Sequence, residues 1–189
     1  VTSGLGKGVV RAHDTPNFVA NRVGIAGMLS TMKEVENFGL SFDVVDDLTG
    51  KKLGRASSGT FRTADVVGLD TMTHVIKTLQ DNLSEATDPF YGSFGTPAVL
   101  QKLLDLGNLG QKTRAGFYKK VGRDVLRFDP QSGDYVPGGQ KADEVYGRML
   151  KKPAGERLEL LRNAEGAQGQ FLWAILRNSF HYAAVHLAT

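Results

Sequence analysis

The glycine-containing stretches of this chain are the first candidates for chemistry, because glycine-rich loops can bind the phosphates of a nucleotide. Gly4, Gly6 and Gly8 stand at alternate positions, whereas a dinucleotide loop has the spacing G-x-G-x-x-G and joins a strand to a helix. Gly110 and Lys112 resemble the end of a P-loop, but they are not adjacent, and a helical pattern lies upstream. Neither stretch is therefore predicted to bind a nucleotide.

The sequence also gives little support for a metal site, a catalytic nucleophile or an acid–base pair. His181 and His186 are five residues apart, which separates them by about 140° around a helix, so they do not share a face as a ligand pair would. No serine has the sharp glycine-flanked turn of a hydrolase nucleophile. Asp46 and Asp47 are expected to serve helix solvation and the helix dipole rather than proton transfer. We therefore predict no metal site and no catalytic triad.

The composition is that of a domain with an adequate apolar core. Of 189 residues, 41% are hydrophobic, but no apolar run is long enough to span a membrane. The net charge of +3 comes from scattered Lys and Arg, so no nucleic-acid partner is expected. The absence of Cys excludes disulfides and agrees with the cytoplasmic location that we expect. Because the chain begins at Val1 and ends at Thr189 inside a helical pattern, we expect a fragment of a longer protein.

Periodicity and capping residues predict a helical first part. Residues Val9–Ala12 are typical of a short strand. A helix is predicted over Asn17–Phe38, with Pro16 at its first turn and Gly39 as a left-handed cap at its end. Ser41 is predicted to begin a second helix. Further helical segments are predicted around residues 63–67, from Asp70, and from Thr96–Pro97 to Gly107.

The pattern changes after Tyr118. Residues 125–128 and 135–136 flank a polar turn and predict a β-hairpin, followed by a linker at residues 137–139. Helices are then predicted over residues 143–150, over 155–163 and from about Gln168 onward. The last of these is strongly apolar, so we expect its apolar faces to be left for another domain or for a second copy of the chain.

Three stretches in order resemble the motifs of 3-hydroxyacyl-CoA dehydrogenases. Asp14–Arg22 resembles the D-T-P-x-F-x-x-N-R sequence at the domain junction of that family. Gly59–Phe61 and Asp65–Thr71 resemble its G-P-F and D-x-x-G-L-D-T sequences. Leu109–Thr113 with Gly116–Tyr118 is similar to its L-G-x-K-T-x-x-G-F-Y sequence. The resemblance covers residues 8 to about 120, and the remaining third is similar to long members of the family.

The resemblance implies a mainly α fold, namely a helical domain like the C-terminal domain of 6-phosphogluconate dehydrogenase, with a small β-hairpin. It also implies a division into four segments. These are the last strand of an NAD-binding domain with the junction (1–14), a helical C-terminal domain (15–120), the hairpin and linker (121–140), and the start of a second related domain (141–189). A homodimer is expected.

The implied activity is the NAD-dependent oxidation of a 3-hydroxyacyl-CoA in fatty-acid β-oxidation. In the family, a His acts as general base with the help of a Glu, and both lie with the NAD site in the preceding domain. Asn21 is the position of this chain that matches a catalytic residue of the family. From residue type alone, Asn21 would instead bond backbone near the helix start. Arg22 is expected to form a structural ion pair, and this chain alone is expected to be inactive.

Departures from the family pattern leave alternatives open. Thr60 stands where the family has the Pro of G-P-F, and Arg62 stands where an acidic residue often follows Phe. A non-catalytic helical interaction or dimerisation module that kept the fold is the main alternative. A dehydrogenase of small acids, of the 3-hydroxyisobutyrate type, shares the two-domain plan but would have another sequence in place of Asp14–Arg22.

Overall fold

The chain is a helical assembly with one small sheet, as a computed structural model describes it for residues 3–6 and 8–187. The elements, in chain order, are α1 (Phe18–Phe38), α2 (Phe42–Thr49), α3 (Phe61–Val67), α4 (Leu69–Asn82), α5 (Ala98–Asp105), β1 (Tyr118–Val121), β2 (Asp124–Phe128), β3 (Tyr135–Pro137), α6 (Glu144–Met149), α7 (Ala154–Arg162) and α8 (Ala167–Val185). This architecture confirms the predicted fold class. None of the described helices is long and apolar enough to cross a membrane.

The two longest helices, α1 and α8, pack along each other at the centre of the domain. Ile25, Leu29 and Met32 on α1 are buried, and Phe171 and Ile175 are among the buried residues of α8. One continuous hydrophobic cluster contains residues from all of the helices, so α8 shares its core with the first part of the chain. The expectation that α8 leaves its apolar faces free is therefore wrong for most of the helix, because α1 and α7 pack on it, but Phe180 is 57% exposed.

The start of α1 differs from the prediction. The helix begins at Phe18 rather than at Pro16, because Asn17 and Phe18 have φ values of 66° and 56°. The Phe18 N–H donates to the Thr15 carbonyl at 3.2 Å, which closes a turn immediately before the helix. Left-handed backbone is unusual for side chains other than Asn and Asp, and it turns the chain sharply into the helix. The predicted left-handed cap at Gly39 is confirmed, with φ 61°.

The predicted strand at Val9–Ala12 is absent: residues 8–15 have no regular secondary structure. Val9 and Val10 are exposed. A strand needs a hydrogen-bonded neighbour, and the described residues offer none at this position. Part of the loop of alternating glycines lies in a short 3₁₀ turn at Ser3–Leu5, whereas Val1, Thr2 and Lys7 lie outside the described residues.

The sheet has three antiparallel strands in the order β1-β2-β3. The predicted hairpin is confirmed as β2 and β3, with Phe128 paired with Tyr135. The additional strand β1 was not predicted, and it crosses the predicted boundary between residues 120 and 121. It joins β2 through the two-residue turn Gly122-Arg123, in which Gly122 has φ 60°. The proposed division into four segments stays a prediction, with α8 packed directly on α1.

Candidate functional site

Asn21 lies in the first turn of α1, on the solvent-facing side of the helix. Its side chain makes no hydrogen bond to any residue within 3–6 or 8–187, so it does not bond the backbone as an Asn near a helix start often does. The Asn17 amide takes such a role instead, donating to the Val75 carbonyl at 3.0 Å and tying the entry of α1 to α4. The Asn21 side chain thus has no hydrogen-bond partner among the described residues, on a helix whose start is held by Asn17.

Arg22, the next residue of α1, connects the first turn of the helix to the loop after α4 and to α8. Its guanidinium donates to the Asp88 carboxylate at 2.9 Å and to the Tyr182 hydroxyl at 3.0 Å. The Tyr182 hydroxyl donates to the same Asp88 oxygen at 3.0 Å, and His186 Nε2 lies 3.4 Å from its second oxygen. The prediction that Arg22 is a structural ion-pair partner is confirmed. This network joins α1, the loop after α4 and the end of α8.

The charge balance of this network favours an ionised Asp88. Burial raises the pKa of Asp88, but the hydrogen bonds from Arg22, from the Phe90 backbone and from Tyr182 outweigh it and hold the pKa below its usual range. Burial also raises the pKa of Tyr182 to about 12, so its hydroxyl keeps its proton. Since the Asp88 side chain is fully buried, its charge depends on these partners.

A groove of about 640 Å³ lies beside the start of α1. Val19 and Arg22 line it from α1, and His13 and Pro16 line it from the segment before the helix. This end of the molecule also presents apolar surface to solvent, because Phe18 is 73% exposed. Uncovered apolar surface of this kind next to a groove is typical of a site that another domain or a ligand covers.

The family motifs away from Asn21 meet at two buried carboxylates. Asp46 on α2 accepts the backbone N–H groups of Thr60, Phe61 and Arg62, which are the first donors of α3, and it also accepts the hydroxyl of Tyr118. The first N–H groups of a helix have no partner within it, so Asp46 caps α3 from a distance. The expectation that Asp46 serves helix solvation is therefore wrong, since the residue is buried.

Asp65 performs the corresponding role for the start of the sheet. Its carboxylate accepts the backbone N–H groups of Phe117 and Tyr118 at 2.8 and 2.9 Å. Gly116 is required there, because a Cβ at this position would lie 2.1 Å from an Asp65 oxygen. Burial raises the pKa of Asp46 and of Asp65 to about 6, although the hydrogen bonds oppose this shift. Both carboxylates therefore organise the fold by accepting backbone N–H groups from distant segments.

Further contacts join the second and third motifs. The rings of Phe42, Phe61 and Phe117 pack together with centroid distances of 4.3 to 5.1 Å. Lys112 forms an ion pair with Asp70, which lies in the first turn of α4 rather than capping it as predicted. The residues of the second and third motifs thus pack against each other in the fold.

Comparison with known protein families tests whether these stretches belong to the family that they resemble. Residues 18–120 match the profile of the 3-hydroxyacyl-CoA dehydrogenase, C-terminal domain. This match covers more than half of the chain. The chain belongs to the 3-hydroxyacyl-CoA dehydrogenase family. The match begins at the first residue of α1 and ends within β1, so it contains Asn21 and both buried carboxylates.

Individual relatives in the 3-hydroxyacyl-CoA dehydrogenase family extend the similarity. A probable 3-hydroxyacyl-CoA dehydrogenase of Bacillus subtilis is 37% identical over 95% of this chain, which is 23% of its own length. One of Deinococcus radiodurans is 46% identical over 65% of this chain and 34% of its own. The crystal structure of Mycobacterium tuberculosis FadB2 superimposes with a TM-score of 0.50 and 31% identity, covering 64% of this chain and 40% of that one. The chain thus spans about a quarter to two fifths of these relatives.

Proposed function

We propose that this chain forms the C-terminal substrate-binding and dimerisation part of an NAD-dependent 3-hydroxyacyl-CoA dehydrogenase of fatty-acid β-oxidation. The complete protein would oxidise a 3-hydroxyacyl-CoA to the 3-oxoacyl-CoA, with NAD held by a domain outside this chain. When bound, NAD accepts the hydride. The described sheet is small and wholly antiparallel and offers no strand–helix unit of the kind that binds a dinucleotide, so the residues of this chain contribute to substrate rather than to cofactor binding.

This proposal rests on the position of Asn21 and on its side chain, which is free to bind a ligand. A free amide on a helix that is fixed on both sides can donate to the substrate oxygen, or to the catalytic base, without itself titrating. The groove and the exposed Phe18 lie at the same end of α1, where a preceding domain would cover them. We therefore propose that Asn21 is a catalytic residue that stabilises the charge developing on the substrate oxygen.

Turnover of 3-hydroxybutyryl-CoA by the complete protein tests this role. Replacing one such donor costs about 3–4 kcal/mol, so Asn21→Ala is expected to lower kcat by a factor of 10² to 10³. Asn37→Ala is a matched control, since Asn37 is also exposed on α1 but lies about 24 Å away along the helix axis. Equal rates for wild type and Asn21→Ala would return Asn21 to a structural role. An inactive but folded wild type would favour the non-catalytic interaction module.

We also propose that the chain contributes to a homodimer. Val66 and Val67 at the end of α3 are more than half exposed, as is Leu106 after α5. These two segments lie close together, since the Leu69 N–H donates to the Leu109 carbonyl. Apolar surface of this kind favours association. Sedimentation of the chain as a monomer at tens of micromolar would contradict the proposal. The cytoplasmic location stays a prediction.

A further inference from the structure

A second groove, of about 510 Å³, lies away from the start of α1. It is formed by the start of α3, the turn before β1 and the β1–β2 hairpin. Its volume is within the range of small-molecule sites. Four cationic residues line it, namely Arg62, Arg114, Lys119 and Lys120, the last of which faces the same side of the sheet as Tyr118 and Val125. We call this the basic groove.

The cations of the basic groove form no ion pair within the described part of the protein. Across residues 3–6 and 8–187, the side chains of Arg62, Arg114 and Lys120 have no carboxylate within 4.0 Å. Asp65 also lines the groove, and its carboxylate, which accepts two backbone N–H groups, offsets part of this positive charge. The Arg62 guanidinium lies 4.7 Å from the centre of the Tyr118 ring, which holds it in place without neutralising it. Four cations against one carboxylate around a concave surface attract an anion.

Arg114 adds an independent indication. Its backbone has φ 59°, a left-handed conformation that costs free energy for any residue with a side chain and that glycine adopts freely. The Thr113 hydroxyl fixes the turn by accepting the Leu109 N–H and lying 3.0 Å from the Ala115 carbonyl. Strained backbone of this kind clusters at ligand sites. Arg62, moreover, stands where the family often has an acidic residue, so this chain places an additional positive charge at the groove.

We propose that the basic groove binds the phosphate groups of a small ligand. Arginine matches phosphate because its planar fork donates two parallel hydrogen bonds, and a nearby lysine adds a point charge. Two sources offer this chemistry, namely the nucleotide end of a coenzyme A ester and free inorganic phosphate. The first source rests on the proposed function, whereas the second does not.

Calorimetric titration of this chain distinguishes the sources. Coenzyme A is expected to bind, with an affinity that falls as salt is added, and pantetheine, which lacks the phosphates, is expected not to bind. Arg62→Gln and Arg114→Gly are each expected to weaken coenzyme A binding about tenfold, since each removes a charge-assisted hydrogen bond. The glycine at position 114 suits the left-handed backbone, so that variant should fold at least as well as the wild type.

Arg123→Gln is the matched control. It removes the same charge from the turn between β1 and β2 but does not line the groove, so coenzyme A affinity should not change. Equal weakening by all three variants would overturn the proposal, because only net charge would then matter. Absence of binding by both coenzyme A and inorganic phosphate would also overturn it. Inorganic phosphate binding as tightly as coenzyme A would support the site and assign it to the free ion. None of these outcomes depends on turnover, so a failure of the enzymatic proposal is seen separately in the Asn21→Ala assay.

Discussion

Replacing Asp46 by Ala removes the one acceptor that joins α2, α3 and β1. The Asp46 carboxylate accepts the N–H groups of Thr60, Phe61 and Arg62 at 2.7, 2.6 and 3.0 Å, and the Tyr118 hydroxyl at 2.8 Å. Without it, these donors have no replacement, because the first N–H groups of a helix lie beyond the reach of its own carbonyls. We therefore expect Asp46→Ala to be strongly destabilising.

The decrease in the free energy of unfolding that we expect depends on which of these donors are buried. Thr60 and Phe61 are buried, whereas the Arg62 side of the site is open. Each buried donor left unsatisfied costs about 1–3 kcal/mol, so the two together cost about 2–6 kcal/mol. Water can enter part of the space left by the carboxylate and satisfy some of this loss. The expected decrease in the free energy of unfolding is therefore about 3 kcal/mol.

Asp47→Ala provides the matched control for this prediction. Asp47 is the next residue, but its partners Lys52 and Lys141 are partly exposed, and it accepts one backbone N–H, from Ala142. Its loss should cost about 1 kcal/mol. Urea unfolding, followed by far-ultraviolet circular dichroism and by the fluorescence of Trp173, the one tryptophan, measures both variants at one protein concentration. If Asp46→Ala and Asp47→Ala lost the same free energy, the capping argument would be refuted.

Two further predictions concern buried charge. Asp88→Ala should lower the free energy of unfolding by about 3–5 kcal/mol, because it leaves the Arg22 charge partly buried without a partner; a urea-measured loss below 1 kcal/mol would contradict this. Stability should also depend on pH. The pKa values of Asp46 and Asp65 are about 6 in the folded chain against 3.8 for the ordinary carboxyl, so between about pH 4 and pH 6 the folded state binds more protons than the unfolded state. The free energy of unfolding should therefore fall as pH rises through this interval, and a urea midpoint that rose there would exclude the shift.

Local patterns predicted most of the helices because each helix carries its own signals. The periodic apolar residues of α1 and the left-handed Gly39 at its end are visible in the sequence, and both are confirmed. The hairpin of β2 and β3 was equally visible from its polar turn. The strand β1 was missed although a signal was present, since Gly122-Arg123 is a glycine-led two-residue turn between alternating residues.

Long-range contacts could not be read from local patterns. Asp46 caps a helix that begins 15 residues later, and Asp65 binds backbone 52 and 53 residues away. Nothing in the sequence around Asp88 indicates a partner 66 residues before it. The predicted strand at Val9–Ala12 is absent for a related reason. A strand forms only beside a hydrogen-bonded neighbour, and its own sequence does not specify that neighbour. Asn21 was found by resemblance alone.

The two departures from the family pattern lie two residues apart, yet they have opposite consequences. Thr60 faces inward, where its N–H reaches Asp46 and its hydroxyl lies 2.9 Å from that of Thr49. A proline there would lack the N–H, so the hydrogen bonds of Thr60 account for this departure within the fold. Arg62 faces outward, where it lies over the Tyr118 ring and is otherwise surrounded by solvent. An exposed cation–π contact contributes about 0.5–1 kcal/mol, so stability alone gives little reason for this cation on the rim of a groove with three others, and a ligand explains it better.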